Sequence, residues 1–500
     1  MLSLYIKGKE AALPEDIELV LKRRNEMIDD RKEDATYPFK LSLRANRHIF
    51  GPVDRIVNNK FDLEFPAVVR FGIYNILDGF VVVTDISEDE IEIYIATQKK
   101  SFWSEANTCT VKESVRDYEN FINEAGATKA MEDSISGLKN YVCCPLLDQT
   151  YTETSLIPPA EQMFQKEINP YDINTRTFSF VKDGKVCVFM FFMRLKYVIN
   201  YLLDYFGYSI SENYLDSLEG FDDVLVINRS GAVVRPLNIN YAWCLPDIKV
   251  KKFIEEIETK FNVIFVPDAR YKTVRIISFN SFIGRDNLLV EIQDGVTKNV
   301  LERDDIPTGY HFKDNDVDDS SLDSIKNLLE KEVGTGELKQ VECISTTLAT
   351  IHDGINYGAA QNNIATINFS NVNGDYLLDK TIPEELRFAV YRGFYKKDSV
   401  PVPSTEPYMS AESEWAGSNP FNLTWLRGLY SLHSAKVDFM LARKMTHEVT
   451  LWKPLSYLGR ISDFFEYPVL IRGQKYVTME IEIKLGRDRI VEFIFRGYPL

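Results

Sequence analysis

Residues Asn238–Phe279 read NINYAWCLPDIKVKKFIEEIETKFNVIFVPDARYKTVRIISF, and their spacing sets the fold class. Asp247 follows Pro246 and is placed to accept the free amide hydrogens of a first helical turn, so a helix is expected from there. Val250, Phe253, Ile254, Ile257 and Phe261 recur at the three-and-four spacing of one helix face, while Lys251, Lys252, Glu255, Glu256 and Glu258 occupy the other. After Asn262 the period changes. Val263–Val266 and Thr273–Ile277 are β-prone runs separated by the turn signal Pro267-Asp268. The stretch is therefore expected to fold as strand, helix, strand, turn, strand, with a hairpin packed on one helix.

Working outward, residues 194–282 are expected to form one α+β domain. Leu195, Val198, Ile199, Leu202, Leu203 and Phe206 share a helix face, and Gly207 sits where a helix commonly stops. Residues 1–105 read as a β domain: Leu41 and Leu43, Phe61 to Phe65, and Ile91, Ile93 and Ile95 alternate with polar neighbours, and Asp78-Gly79 is a hairpin signal. A barrel or strongly bent sheet is expected. Residues 106–193 read as an insertion completing that domain, with a weak helical pattern over Val115–Ala125 and a buried strand over Val186–Met193. Residues 283–342 are polar and acidic and read as a connector with a short helix at Leu322–Val333. Residues 343–500 read as a second β domain. It has strands about Ile364 and Leu386, an exposed loop over Pro401–Pro407, and a final hairpin joining Tyr476–Leu485 to Arg489–Phe495. The fold class is thus α+β and multidomain, with barrel-like β domains at both ends.

Composition narrows the function. A chain of 500 residues with a formal charge of −16 lacks the general basic face that phosphate binding requires, so nucleic acid is not an expected partner. The opening MLSLYIKGKEAALPED carries no secretory signal pattern, and the apolar run VCVFMFFM is far shorter than the roughly 20 residues of a membrane helix. Synthesis in the cytoplasm, no membrane and six reduced cysteines are expected.

The candidate chemical motifs all fall short. Asp314-Asn315-Asp316-Val317-Asp318-Asp319 suggests calcium, but an EF-hand loop needs Gly at its sixth position and Glu at its twelfth, where this chain has Asp319 and Ile325. A solvated acidic loop is expected instead. His48, His311, His352, His433 and His447 are isolated, and His447-Glu448 lacks a second His at position 451. Gly334-Thr335-Gly336 follows a helical pattern and reads as a helix stop and linker. Asp222-Asp223 and the pair Glu480 and Glu482 have the residue types of a glycosidase dyad, yet the latter lie on the polar side of an alternating strand, which ordinarily faces water. No catalytic, metal or cofactor residue is assigned. Arg23-Arg24-Asn25-Glu26, Tyr37-Pro38-Phe39, Trp415, Trp425 and Trp452 are compatible with interfaces and with cores alike.

The run from Ile239 to Ile277 resembles the small βαββ modules of secretin-type and TonB-associated short N-terminal domains. It is still more similar to the matching module in tail-hub proteins of prophages from gut Bacteroidetes. YVINYLLDYFGYSISENYL and DDVLVINRSG keep that family's order, and LPEDIELVLKRRNEMIDDRKEDATYPFKLSLRANRHIFG and YPVLIRGQKYVTMEIEIKL resemble its two ends. The resemblance implies a non-enzymatic baseplate hub assembled into a virion or phage-like particle. It also implies a homotrimer, with the N-terminal domain of one chain beside the C-terminal domain of the next, in a ring joining tail tube to central spike proteins. The alternatives from the residues themselves are a carbohydrate-binding module with Trp and Tyr platforms, and a carboxylate-based hydrolase.

Overall fold

The helix expected after Pro246 runs over Val250–Phe261 in the computed structural model, and Val250, Phe253, Ile254, Ile257 and Phe261 are all buried. Residues 2–25, 35–51, 64–97, 102–147, 163–172, 175–228, 233–234, 237–268, 271–290, 298–302, 307–315, 326–346, 349–351, 358–360, 369–372, 375–378, 386–396, 405–410, 421–442, 445–454, 457, 463–485 and 490–500 are described by the structure. The helix starts later than Asp247 implied, because Lys249 before it is already bridged to Thr110 in extended backbone. Ile248 O accepts Val111 N at 2.8 Å, and Val250 N donates to Cys109 O at 3.1 Å. Asn262 ends the helix in the left-handed region, at φ 52° and ψ 47°.

The strands Val263–Asp268 and Thr273–Ser278 follow as expected, and the third strand of their sheet is Ser209–Asn213, parallel to Thr273–Ser278. The expected first strand, Asn238–Asn240, is elsewhere. It pairs with Tyr118–Asn120 in a separate ribbon, after which the Asn240 side chain accepts Ala242 N at 3.0 Å and turns the chain into a short 3₁₀ segment. The βαββ order of the expected module is therefore replaced by a sheet whose third strand follows the earlier helix Leu195–Tyr205. That helix buries Leu195, Val198, Ile199, Leu202 and Leu203, as its stripe requires.

The chain divides into two compact units. One comprises residues 1–104, 278–306 and 436–500, and the other residues 105–277 and 307–435. These units cut across the five segments expected from sequence.

Among the described residues the first unit holds a sheet of fourteen strands. Its main path runs Lys9–Glu10, Leu2–Ile6, Glu64–Phe71, Tyr74–Ile86, Glu90–Thr97, Ala35–Thr36, Leu19–Arg24, Gln474–Leu485, Ile490–Pro499, Met445–Pro454 and Lys298–Glu302. The expected pair of terminal barrels is thus one continuous sheet drawn from both ends of the chain, and no closed barrel forms among the described residues. Alternate residues of these strands, among them Leu21, Val69, Val81, Ile93, Ile481, Ile483 and Phe495, make one apolar core. Asp78-Gly79 is not a turn, for it lies inside Tyr74–Ile86 opposite Val68 and Ala67. The reversal is at Gly72-Ile73, where Gly72 takes a φ of 62° at the first central position of a tight hairpin.

In the second unit the apolar run Val186–Met193 serves two sheets. Lys185–Phe189 belongs to one of seven strands and Phe192–Arg194 to one of six. Buried Asn169 clamps the break between them, donating to Cys144 O at 2.6 Å and Met190 O at 2.9 Å and accepting Met190 N at 2.7 Å. Asn123 caps a helix over Glu124–Ile135 rather than the expected Val115–Ala125, since its side chain accepts Gly126 N.

The expected connector contains strands, including Gly309–Asp314, which lies between Glu330–Gly334 and Leu338–Cys343. Gly334 and Gly336 carry the chain over the end of that central strand. A Cβ at Gly334 would stand 2.5 Å from Thr308 O, and one at Gly336 2.8 Å from Thr308 Oγ1. The expected helix stop is therefore a close backbone crossing, and helix occupies only Lys326–Leu329 of the described part. Pro407 lies within a strand, Thr405–Ser410, that pairs with Leu386–Lys396. Position 364 and its neighbours, and positions 401–404, fall outside the described residues.

Candidate functional site

Four neighbouring strands of the first unit place Arg24, Glu480, Arg496 and Glu448 in one transverse row. Arg24 is the cross-strand partner of Glu480, Glu480 of Arg496, and Arg496 of Glu448. Directly opposed side chains are the closest pairs on a sheet face, so the alternation of sign across the row is attractive at every step. Arg496 Nε donates to Glu448 at 2.6 Å, and its Nη1 donates to both Glu480 and, at 3.1 Å, Glu482. Lys22 Nζ lies 2.9 Å from Glu480, and Arg24 Nε lies 3.4 Å from it. Tyr37 donates its hydroxyl to Glu482 at 3.1 Å.

Glu480 is 5% exposed and Glu482 8%, so the expectation that this polar side faces water is overturned. The cations of adjacent strands replace the solvent. Burial disfavours the Glu480 carboxylate, but hydrogen bonds from Lys22 and Arg496 outweigh it and hold the group below the usual carboxylate range. Burial likewise opposes the charge on Arg496, yet Glu448 and Glu480 hold its proton more firmly than normal. Burial and the charge of Glu482 push the Tyr37 phenol up.

A pH dependence follows with a defined sign. Because the folded-state Glu480 is the stronger acid, its contribution is complete above the unfolded value of about 4.3, and it is lost as pH falls through the lower folded value. Thermal melts from neutral to acidic pH should show the native chain converging on a Glu480→Gln variant. A gap between the two that stays constant with pH would contradict this assignment.

The flagged N-terminal residues belong to the same seam. Asn25 is buried and donates Nδ2 to Thr478 O at 2.8 Å, while its own N–H reaches Met479 O at 2.8 Å. Arg23 lies over the Phe465 ring, and Phe39 packs against the core. Glu26 is outside the described residues. The other carboxylate pair, Asp222 and Asp223, is bound to cations, with Lys196 at 2.9 Å from the first and Arg194 on the second.

The second unit contains a buried polar knot that sequence reading did not find. Lys260 Nζ and Asp314 Oδ1 are 2.6 Å apart with both side chains fully buried. Lys260 also donates to Ile344 O at 2.8 Å, and Trp425 Nε1 donates to Asp314 Oδ1 at 2.8 Å. Phe312 stacks on Trp425, and His433 Nε2 donates to Lys260 O at 3.2 Å. Asp314 is therefore an internal counter-ion and not the start of a solvated loop; positions 316–319 lie outside the described residues. Trp425 is core, Trp452 is partly exposed, and Trp415 is not described.

Two glutamates assigned to the solvent face of the central helix also have structural partners. Glu256 accepts Ile344 N at 3.1 Å, and Glu258 accepts Phe265 N at 2.7 Å. No signal in the helical period distinguishes them from Glu255, because their partners lie outside the helix.

The histidines act singly. His48 donates to Glu10 O, His311 meets Glu330 at 3.0 Å, and His447 shares a hydrogen bond with Tyr476. His352 is outside the described residues. Among those residues no three His, Cys, Asp or Glu side chains gather as a metal site, and no helix is long and apolar enough to cross a membrane. The cysteines of the described residues form no disulfide, and burial pushes the Cys244 thiol up to about 12.

No family model matches the chain, and no curated protein matches it. Among solved structures, the 43 kDa tail protein of prophage MuSo2 from Shewanella oneidensis is similar at 8% identity and a TM-score of 0.35, covering 99% of this chain and 97% of that one. A tail protein from Neisseria meningitidis MC58 is similar at 8% identity and a TM-score of 0.33, covering 99% and 95%. A type VI secretion component of E. coli, described as structurally similar to T4 bacteriophage tail proteins gp27 and gp5, is similar at 7% identity and 0.30, covering 99% and 76%.

Proposed function

We propose that this chain is a structural component of a phage tail or related contractile injection apparatus, serving as a homotrimeric hub between tail tube and central spike. One observation carries the reading. The two terminal stretches that resemble the ends of tail-hub proteins are hydrogen-bonded neighbours here, Leu19–Leu485 through Arg24–Glu480, and the charge ladder crosses their seam. A strand pairing sealed by ion pairs on buried carboxylates suits a load-bearing part better than a catalytic cleft, and Glu480 and Glu482 are buried among cations rather than presented to a substrate. The role proposed is non-enzymatic, with the protein made in the host cytoplasm and built into the particle.

The two ends satisfy each other's backbone within one chain, so trimer contacts in this reading use other surfaces than the Leu19–Arg24 edge. A closed ring of identical chains requires only that its heterologous contact close by rotation. Mass photometry of the chain mixed with its cognate tube and spike proteins should give three copies per spike. A chain that remains monomeric with both present overturns the hub assignment.

A further inference from the structure

Along the chain, the second unit is left after Ile277 and re-entered at Pro307, and Lys260 and Asp314 stand on either side of that excursion. Lys260 belongs to the helix Val250–Phe261, and Asp314 ends the strand Gly309–Asp314, 54 positions later. Both side chains are fully buried, and Lys260 Nζ lies 2.6 Å from Asp314 Oδ1. The nitrogen is fixed by a second bond, to Ile344 O at 2.8 Å. The oxygen also accepts Trp425 Nε1 at 2.8 Å and lies 3.6 Å from Cys343 Sγ. Aromatic rings wall the pair, with Nζ 5.6 Å from the centroid of the Trp425 ring and Phe312 stacked on that ring at 5.0 Å.

We infer that Lys260 and Asp314 condense to an intramolecular isopeptide bond once the second unit has folded. The ion pair in the structure is the reactant. Buried charges are relieved when a proton crosses from the ammonium to the carboxylate, leaving the amine and acid that can react. Asp314 Cγ lies one bond of about 1.2 Å beyond Oδ1, so the nitrogen stands at the edge of the reacting distance of about 3–3.5 Å. The ammonium gives one proton to Oδ2, the amine adds to Cγ, and a second proton from the nitrogen goes to Oδ2, which departs as water. One C–N bond forms, one C–O bond breaks, and neither an oxidant nor a reductant is needed. Negative charge develops on Oδ1 in the tetrahedral adduct, where the Trp425 N–H already points. The surface pair Lys196 and Asp216 makes a similar contact, 2.7 Å, but its side chains are 36% and 46% exposed, so water holds both in their unreactive charged forms. The bond would close a covalent loop around residues 278–306, so that tension on this excursion is carried by a covalent bond instead of by hydrogen bonds. The inference stands apart from the tail role proposed above.

The test is high-resolution mass spectrometry of the full chain, purified at neutral pH and then denatured, with a tryptic map of the same sample. The mass is expected to be lower than that of the sequence by one water molecule. The map should contain a branched peptide joining the segments around Lys260 and Asp314, with no cleavage after Lys260 and normal cleavage after Lys196. Lys260→Arg keeps the positive charge but replaces the amine by a guanidinium, a far weaker nucleophile, and should restore the full mass and linear peptides. Three results each overturn the inference: full mass with cleavage after Lys260 in the native chain, loss of water without the branch between Lys260 and Asp314, or loss of water retained in Lys260→Arg. The bond is read on the native chain itself, so the first two results do not depend on how well the variant folds.

Discussion

Lys260→Met is expected to destabilise the second unit by about 3–5 kcal/mol, because it leaves the fully buried Asp314 carboxylate without its counter-ion. Lys260 and Asp314 are fully buried and 2.6 Å apart, and Asp314 also receives the Trp425 N–H. Two desolvated charges repay their burial only through each other, so the effect of a single truncation is chiefly the cost of the charge left behind. The double variant Lys260→Met/Asp314→Leu should therefore lose less than Lys260→Met alone, even though Trp425 Nε1 and Ile344 O then lack their partners. Chemical denaturation of the native chain, both single variants and the double closes the cycle. Additive losses would show that the pair is not coupled and that the knot is held by packing alone.

Phe253→Ala carries an effect of similar size for a different reason. Phe253 is fully buried at the centre of the helix stripe, between Val250 and Ile257, and its removal leaves a cavity whose cost is about 3–5 kcal/mol. The control is Lys252→Ala, whose 62% exposed side chain makes only an i,i+4 pair with Glu256. Glu256 and Glu258 are unsuitable controls, since each accepts a backbone N–H from another strand or segment. Hydrogen exchange of residues 250–261 should rise in Phe253→Ala and stay at the native level in Lys252→Ala. Equal exchange in the two would place the buried face elsewhere.

These two variants also mark where sequence reading succeeds. The position of Phe253 was legible because a helical face is a local property, written in residues three and four apart. The strand Gln474–Leu485 and its partner Ile490–Pro499 were legible for the same reason, since alternation and a short connection specify a hairpin. Lys260 was not. It lies within the helix beside Phe261, and its burial depends on Asp314, which is 54 positions away.

The strong local signals that failed did so through competition. Asp78-Gly79 is a good turn pair, but Gly72-Ile73 supplies a turn closer to the strand ends, and the later pair is then absorbed into the ladder. Asp247 is a good cap residue, but the bonds from Val111 N to Ile248 O and from Val250 N to Cys109 O hold Lys249 in an extended bridge opposite Thr110, which delays the helix.

By itself, then, the sequence determined the helices about Leu195–Tyr205 and Val250–Phe261 with their apolar faces, the strands Val263–Asp268 and Thr273–Ser278, the final hairpin, and that the class is α+β. Those properties depend on near neighbours and on burying apolar surface, and the residues carry them wherever the segment ends up. Only the tertiary structure decided that Leu19–Arg24 pairs with Gln474–Leu485 and so turns two expected end domains into one sheet. Only it decided that Glu480 meets Lys22 and Arg496 instead of water, and that Asp314 is an internal counter-ion. Alternation specifies a face but not a partner strand, and an ion pair is specified by distance in space, which separation along the chain does not encode.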